Sequence, residues 1–222
     1  MGFIVAVDGP AGSGKGTITK KIAEEMNLTS IDTGAMYRSV TLAMLEKNIK
    51  VEDIEQIKNL LEQIKIEFKR IGNEQKIYLN DKDVSIEIRS KEVNENVSQV
   101  SAIDIVRSKM VELQRIIAQN IDVIMEGRDI GTNVFPNADV KIYLDATPEE
   151  RARRRFKQNE ENGINIPFEE ILENVKQRDF IDSTRKNAPL RKAEDAIYID
   201  SSNMTIEEVV NEIKQIIIQK KQ

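Results

Sequence analysis

Nine residues near the start of the chain, Gly9-Pro10-Ala11-Gly12-Ser13-Gly14-Lys15-Gly16-Thr17, have the composition and spacing of a phosphate-holding loop. Small residues let the main chain close around an anion, whose charge meets successive N–H groups and the positive end of the following helix. Lys15 then reaches the β and γ phosphates of a nucleoside triphosphate. The strict pattern places Ser or Thr directly after the lysine; here Gly16 intervenes, so Thr17 is the hydroxyl expected to face magnesium.

The rest of the chemistry must come from carboxylates, cations and backbone, because the chain has no Cys and no His. Thiol nucleophiles, thiolate metal sites and histidine general bases are excluded, and hard, oxygen-bound ions such as magnesium are the metals that remain. An acceptor hydroxyl needs a base. An acceptor phosphate, with a second pKa of about 6, is already anionic at pH 7, so a small kinase acting on a phosphorylated acceptor fits this composition. There is no Asn-Lys-x-Asp signal of a guanine-nucleotide switch. The net charge of −5, from 33 Lys plus Arg against 38 Asp plus Glu, disfavours a nucleic-acid motor. An RNA-binding module using Arg151 to Arg155 is the rival from another class, and the acidic total weighs against it.

These residues need a scaffold. Phe3 to Val7 reads as a strand buried on both faces, and Ile18, Ile22 and Met26 at helical spacing open a strand-helix unit. Apolar runs at Val123–Met125, Val140–Leu144 and Ala196–Ile199 alternate with helical patterns at Val100–Ala118 and Ile206–Ile218, which predicts an α/β fold with a parallel sheet covered on both sides. The stripe Ile206, Val209, Val210, Ile213, Ile216 and Ile217 is expected to pack in the core. From Ile64 the period becomes two-fold, through Ile64, Ile66 and Phe68, then Gly72-Asn73, Ile77 and Leu79, then Asn80-Asp81 and Val84, Ile86 and Ile88. Three short antiparallel strands inserted into the larger fold are expected there. Pro148 to Pro189, with Arg151, Arg153, Arg154 and Arg155, a polar stretch Asn159–Asn165 around Gly163, and a helical pattern from Phe168 to about Arg185, reads as a mobile lid. At 222 residues this is one domain with a core of about 1–60, 97–147 and 190–222, an insert of about 61–96 and a lid of about 148–189. No apolar stretch approaches the roughly 20 residues a bilayer requires, and Phe3–Val7 is too short for a signal core, so a cytoplasmic protein is expected.

Asp32-Thr33-Gly34-Ala35-Met36-Tyr37-Arg38 and Glu126-Gly127-Arg128-Asp129 each set an arginine near a strand's carboxyl end, the edge where open α/β sheets bind ligands. With the glycine loop and Arg178-Asp179-Phe180-Ile181-Asp182-Ser183-Thr184-Arg185, they make the chain resemble bacterial cytidylate kinases, of the nucleoside monophosphate kinase family, over essentially its full length. The resemblance implies a phosphate-loop NTPase-type three-layer fold with an antiparallel monophosphate-binding insert and an Arg-rich lid. It also implies transfer of the γ-phosphoryl group of ATP to CMP or dCMP with Mg2+; a monomer with neither nucleic acid nor membrane as partner is expected.

Carried over residue by residue, the resemblance puts Thr33, Tyr37 and Arg38 at the acceptor pocket, with Arg38 and Arg128 gripping the acceptor phosphate. Ser98, Arg107 and Asp129 fall on the cytosine contacts. A carboxylate can accept from the exocyclic amine while an arginine donates to N3 and O2, and uracil reverses two of those groups. Arg178 and Asp182 would lie near the ribose, with Arg185 on sugar or phosphate, the three sharing one helix face at i, i+4 and i+7. Arg151, Arg154 and Arg155 would approach the ATP phosphates, unranked among themselves. Glu126 stands where the resemblance leads one to expect Asp, and Asp8, Glu126 and Asp129 are all candidates to orient magnesium-bound water.

Overall fold

The computed structural model describes residues 2–72, 74–161 and 163–221; Asn73 of the expected turn and Asn162 of the expected polar stretch lie outside the described residues. In chain order the elements are β1 (Ile4–Asp8), α1 (Lys15–Met26), β2 (Thr29–Asp32), α2 (Thr33–Glu46), α3 (Ile54–Gln63), β3 (Ile66–Ile71), β4 (Glu74–Leu79), β5 (Lys82–Asp83), α4 (Lys91–Ser101), α5 (Asp104–Ile117), β6 (Val123–Gly127), β7 (Val140–Asp145), α6 (Pro148–Glu161), α7 (Phe168–Thr184), β8 (Ile197–Asp200) and α8 (Ile206–Lys221). They fall into two compact units, residues 1–31 with 118–222, and residues 32–117.

The first unit is built on a five-stranded sheet in the order β2-β6-β1-β7-β8, with β1 parallel to β6 and β7, and β7 parallel to β8. All five residues of β1 are buried, as expected of a central strand covered on both faces. Val5, Val7, Ile142 and Leu144 pack with Ile18 and Ile22 of α1 and with Val209, Val210, Ile213 and Ile217 of α8. Each such fully buried side chain contributes roughly 1.5–3 kcal/mol. Ile206, expected in that stripe, is instead half exposed at the first residue of α8, before the helix has turned its apolar face inward. Helices α6 and α7 carry a small core of their own, with Ala152, Ile171 and Val175 buried against Phe156, Ile166, Phe168 and Leu172.

The second unit packs Met36, Val40, Ile57, Leu60, Val97 and Met110 into one core. It holds the antiparallel sheet β3-β4-β5, paired from Ile66↔Leu79 to Ile71↔Glu74. The third strand is shorter and earlier than the two-fold pattern of Val84, Ile86 and Ile88 indicated. The Asp83 carboxylate accepts from both the N–H and the Oγ of Ser85, which bends the chain away from the ladder, and the Ser85 Oγ takes over as acceptor for the Ile77 N–H. A single 3-10 turn follows at Glu87–Arg89, and Ile86 is left exposed. The helical pattern over Val100–Ala118 is likewise divided, because α4 ends at Ser101 and α5 starts afresh at Asp104. No helix among the described residues is long and apolar enough to cross a membrane.

Candidate active site

The glycine loop joins β1 to α1 as its spacing required. Gly14, the residue before α1, has φ 90°, a conformation that Cβ-bearing residues rarely adopt. A Cβ at Gly16 would stand 2.9 Å from Oε1 of Glu126. The carboxylate at the end of β6 thus reaches the space beside position 16. Lys15 is 5% exposed, and its Nζ donates to the carbonyls of Gly9 (2.8 Å) and Pro10 (2.7 Å) and to Ser13 Oγ (3.3 Å).

Burial, and next the positive charge of Arg128, lower the Lys15 pKa to about 7. An ammonium that faces both a dry loop and another cation is poised to accept negative charge. Phosphate oxygens restore the charged form, so above pH 7 binding a triphosphate takes up a proton, and affinity falls as pH rises. At pH 8, where the triphosphate is fully ionised, calorimetry of ATP binding in buffers of different ionisation enthalpy should show an uptake of roughly one proton. Lys15→Met should remove it, and a wild-type enthalpy independent of buffer would contradict this account of Lys15.

The turn after β6 presents Arg128 and Asp129. Arg128 Nε donates to Asp182 Oδ2 at 2.9 Å, and Arg185 Nη2 donates to Asp129 Oδ1 at 3.3 Å. Asp182 and Asp129 are both buried. Burial alone would push the Asp182 carboxyl up, but Arg128, Arg178 and Arg185 together outweigh it and hold the pKa below the usual range. The structure therefore gathers Arg128, Asp129, Arg178, Asp182 and Arg185 into one network, three cations against two anions, and the same Arg128 is felt at Lys15. One detail differs from the expected helix face. Helix α7 stops at Thr184, and Arg185 caps it with extended backbone (ψ 141°), its guanidinium turned back onto the Ala188 carbonyl and Asp129.

In the second unit, Arg38 is held by Asp32, Nη2 to Oδ2 at 2.8 Å, while Asp32 Oδ1 accepts from the Ala35 N–H and so caps α2. Burial raises the Asp32 pKa, but Arg38, the Ala35 N–H and Arg89 outweigh it and leave it low. Asp32 is thus a positioning residue that spacing did not single out; its signal was an acid one residue before a helix. Thr33 and Tyr37 are buried on α2, and the Arg107 guanidinium lies 5.6 Å from the Tyr37 ring centre while donating to the Ser101 carbonyl. Ser98 is buried inside α4, whose cap is Ser90, and Arg107 is 3% exposed, so neither is the helix cap or solvated surface cation that their residue types alone would allow.

The lid arginines are not equivalent. Arg151 is buried, donating to the carbonyls of Ala146 and Ala11 and making a two-pronged pair with Asp179 (3.0 and 2.5 Å). Arg154 lies closer to solvent, on Glu150, the Ser201 carbonyl and the Ser13 carbonyl. Arg155 is exposed. Arg151 therefore fastens α6 to the glycine loop, and Arg154 borders it.

Hard oxygen donors suited to magnesium border the loop at the Thr17 hydroxyl and the Glu126 carboxylate, close to Gly16. Among the three candidate carboxylates, Asp8 accepts the N–H groups of Ile130 and Gly131, Asp129 accepts from Arg185 and Asn133, and Glu126 is the one that stands beside Gly16 of the loop.

A family model described as cytidylate kinase matches residues 5–219. The cytidylate kinase of Fusobacterium nucleatum is 54% identical over 213 residues, covering 96% of this chain and 96% of that protein. That of Lactobacillus johnsonii is 52% identical over 218 residues, covering 98% and 94%. Among solved structures, an uncharacterized protein from Eubacterium ventriosum (TM-score 0.52, 13% identical, 97% and 98% covered) and TT1252 from Thermus thermophilus (TM-score 0.50, 16% identical, 100% and 98% covered) share the fold.

Proposed function

This chain belongs to the cytidylate kinase family, and we propose that its reaction, transfer of the γ-phosphoryl group of ATP to CMP or dCMP, is performed by the residues described above. The observation that carries this assignment is the network in which Arg128 pairs with Asp182 and Arg185 with Asp129, with Arg128 second only to burial in lowering the pKa of Lys15 of the glycine loop. A cation for the ATP phosphates and a cation for the acceptor phosphate thus adjoin within one unit.

Gly9 to Thr17 bind the triphosphate through backbone N–H groups and Lys15. Arg38 and Arg128 hold the acceptor phosphate with forked donors, so the attacking oxygen waits in line and transition-state charge is spread over fixed cations. No general base is required, because the acceptor is already ionised. Thr33 and Tyr37 shape the acceptor pocket. Asp129 and Ser98 accept from the cytosine amine, and Arg107 donates to the ring acceptors. Arg178, Asp182 and Arg185 hold the ribose and steady Arg128. The unit 32–117, which contains the expected insert 61–96, takes the monophosphate, and residues 148–189 close to exclude water, with Arg154 and Arg155 beside the ATP phosphates. Mg2+ would be held by Thr17 and Glu126, and it would neutralise phosphate charge. A cytoplasmic monomer acting without nucleic acid or membrane accords with this chemistry. The test is a coupled assay of ADP release with CMP as acceptor. Formation of CDP supports the reading, and ADP release that does not depend on CMP would reject it.

A further inference from the structure

Two residues that the proposed mechanism does not use hold Asp129 and the turn that it starts. The first is Asp8, at the end of β1 and 5% exposed. Its carboxylate accepts the Ile130 N–H at Oδ1 and the Gly131 N–H at Oδ2, each at 2.7 Å, across more than 120 residues of sequence. Two short bonds from successive amides to the two oxygens of one buried carboxylate fix the plane of the turn that starts at Asp129. The turn itself is wound wide: the Val134 N–H bonds to the Asp129 carbonyl (3.1 Å) and the Phe135 N–H to the Ile130 carbonyl (2.7 Å), both spanning five residues. Such wide turns are rare and cluster at functional sites. The Lys141 stem packs beneath, close enough that a Cβ at Gly131 would meet its Cδ at 3.1 Å.

The second residue is Asn133. The wide turn brings its side chain back over Asp129, where Nδ2 donates to Oδ2 at 3.0 Å while Arg185 donates to Oδ1. One carboxylate oxygen is thus tethered by a neutral amide and the other by a cation, which fixes rotation about the bond joining the carboxylate to Cβ. Rotation matters for selectivity. A carboxylate at a fixed angle accepts from the cytosine amine and repels the carbonyl that uracil presents at the same place; one that can turn away lowers the cost of uracil.

We propose that Asp8 and Asn133 are positioning residues for base selection, Asp8 setting the backbone of the Asp129 turn and Asn133 setting the rotation of the Asp129 carboxylate. This rests on the assignment of Asp129 to the cytosine amine. The test compares kcat/KM for CMP and UMP in the wild type, Asn133→Ala, Asp8→Asn and Asp129→Asn, with ATP Kd measured beside each. The expected result for Asn133→Ala is a CMP:UMP preference reduced about tenfold with ATP Kd within about twofold of wild type. For Asp8→Asn, which turns a side-chain N–H toward a backbone N–H, an equal or larger loss of preference is expected. A general structural role would lower both acceptors together and leave the ratio alone. An unchanged ratio in Asn133→Ala, while Asp129→Asn abolishes the preference, overturns the inference and leaves the Asp129 assignment standing. An unchanged ratio in Asp129→Asn overturns both. Asn133 is half-buried on a turn, so its variant decides the matter even where Asp8→Asn fails to fold.

Discussion

Arg128→Ala is expected to lower kcat/KM for CMP by about 10³-fold while changing the Kd of ATP by no more than about twofold. The size follows from what the side chain does: a charged, forked donor aimed at an oxygen that gains charge in the transition state is worth about as much as an oxyanion-hole donor, 10²–10³ or more in rate. The selectivity of the effect follows from geometry. Arg128 leans on Asp182 and the Gly127 carbonyl, neither of which belongs to the loop that wraps the triphosphate. Asp182 keeps Arg178 and Arg185 as partners after the substitution, so the network should survive and the protein should fold. Arg38→Ala should behave alike with a smaller loss, about 10²-fold, because Asp32 continues to cap α2 through Ala35. Steady-state kinetics and an ATP titration check both variants. Loss of ATP affinity parallel to the loss of kcat/KM would mean the arginines serve the triphosphate instead.

Lys15→Met should show the reverse balance, with kcat reduced about 10³-fold or more and ATP binding weakened, while CMP binding measured alone stays near the wild-type value. Methionine keeps the length of the buried stem and removes the charge, so stability is not expected to fall. Below pH 10.5 the charge contribution favours the variant, because the unfolded chain holds that proton with a normal pKa while the folded protein holds it only weakly, near pH 7, and the lost Nζ bonds to Gly9, Pro10 and Ser13 oppose it. A variant in which CMP binding collapsed along with ATP binding would show that Lys15 belongs to a shared seat and not to the triphosphate.

The parts of the site visible in the chain's own residues were those whose determinants are local. The glycine loop could be found because three short-range features coincide: small residues for a tight loop, a lysine at fixed spacing, and a buried strand before it. The sheet strands showed as apolar runs because a strand covered on both faces has no polar side. The misread segments were decided by single side-chain hydrogen bonds that periodicity does not register. Asp83 with Ser85 bent the chain so that the ladder stops after the Val84 N–H bonds to the Ile77 carbonyl and Ile86 is left exposed, and Arg185 left the helix to reach Asp129. Asp32 and Asn133 escaped notice, and Asp8 was considered only as a magnesium-water ligand, for a related reason. Each acts on a residue that does chemistry or on the backbone next to one, and for Asp8 that backbone is more than 120 positions away. The lid arginines were indistinguishable by spacing, and burial separated them: Arg151 is claimed by Asp179 and the Ala11 carbonyl, while Arg154 remains nearer solvent.

The central claim is that this chain phosphorylates a cytosine monophosphate and selects it through Asp129, Ser98 and Arg107. The most direct measurement is ADP release under one set of conditions with CMP, dCMP, UMP, AMP and GMP in turn. CMP and dCMP should be turned over far faster than the two purine nucleotides, with UMP in between or below. AMP turned over as fast as CMP would contradict the account.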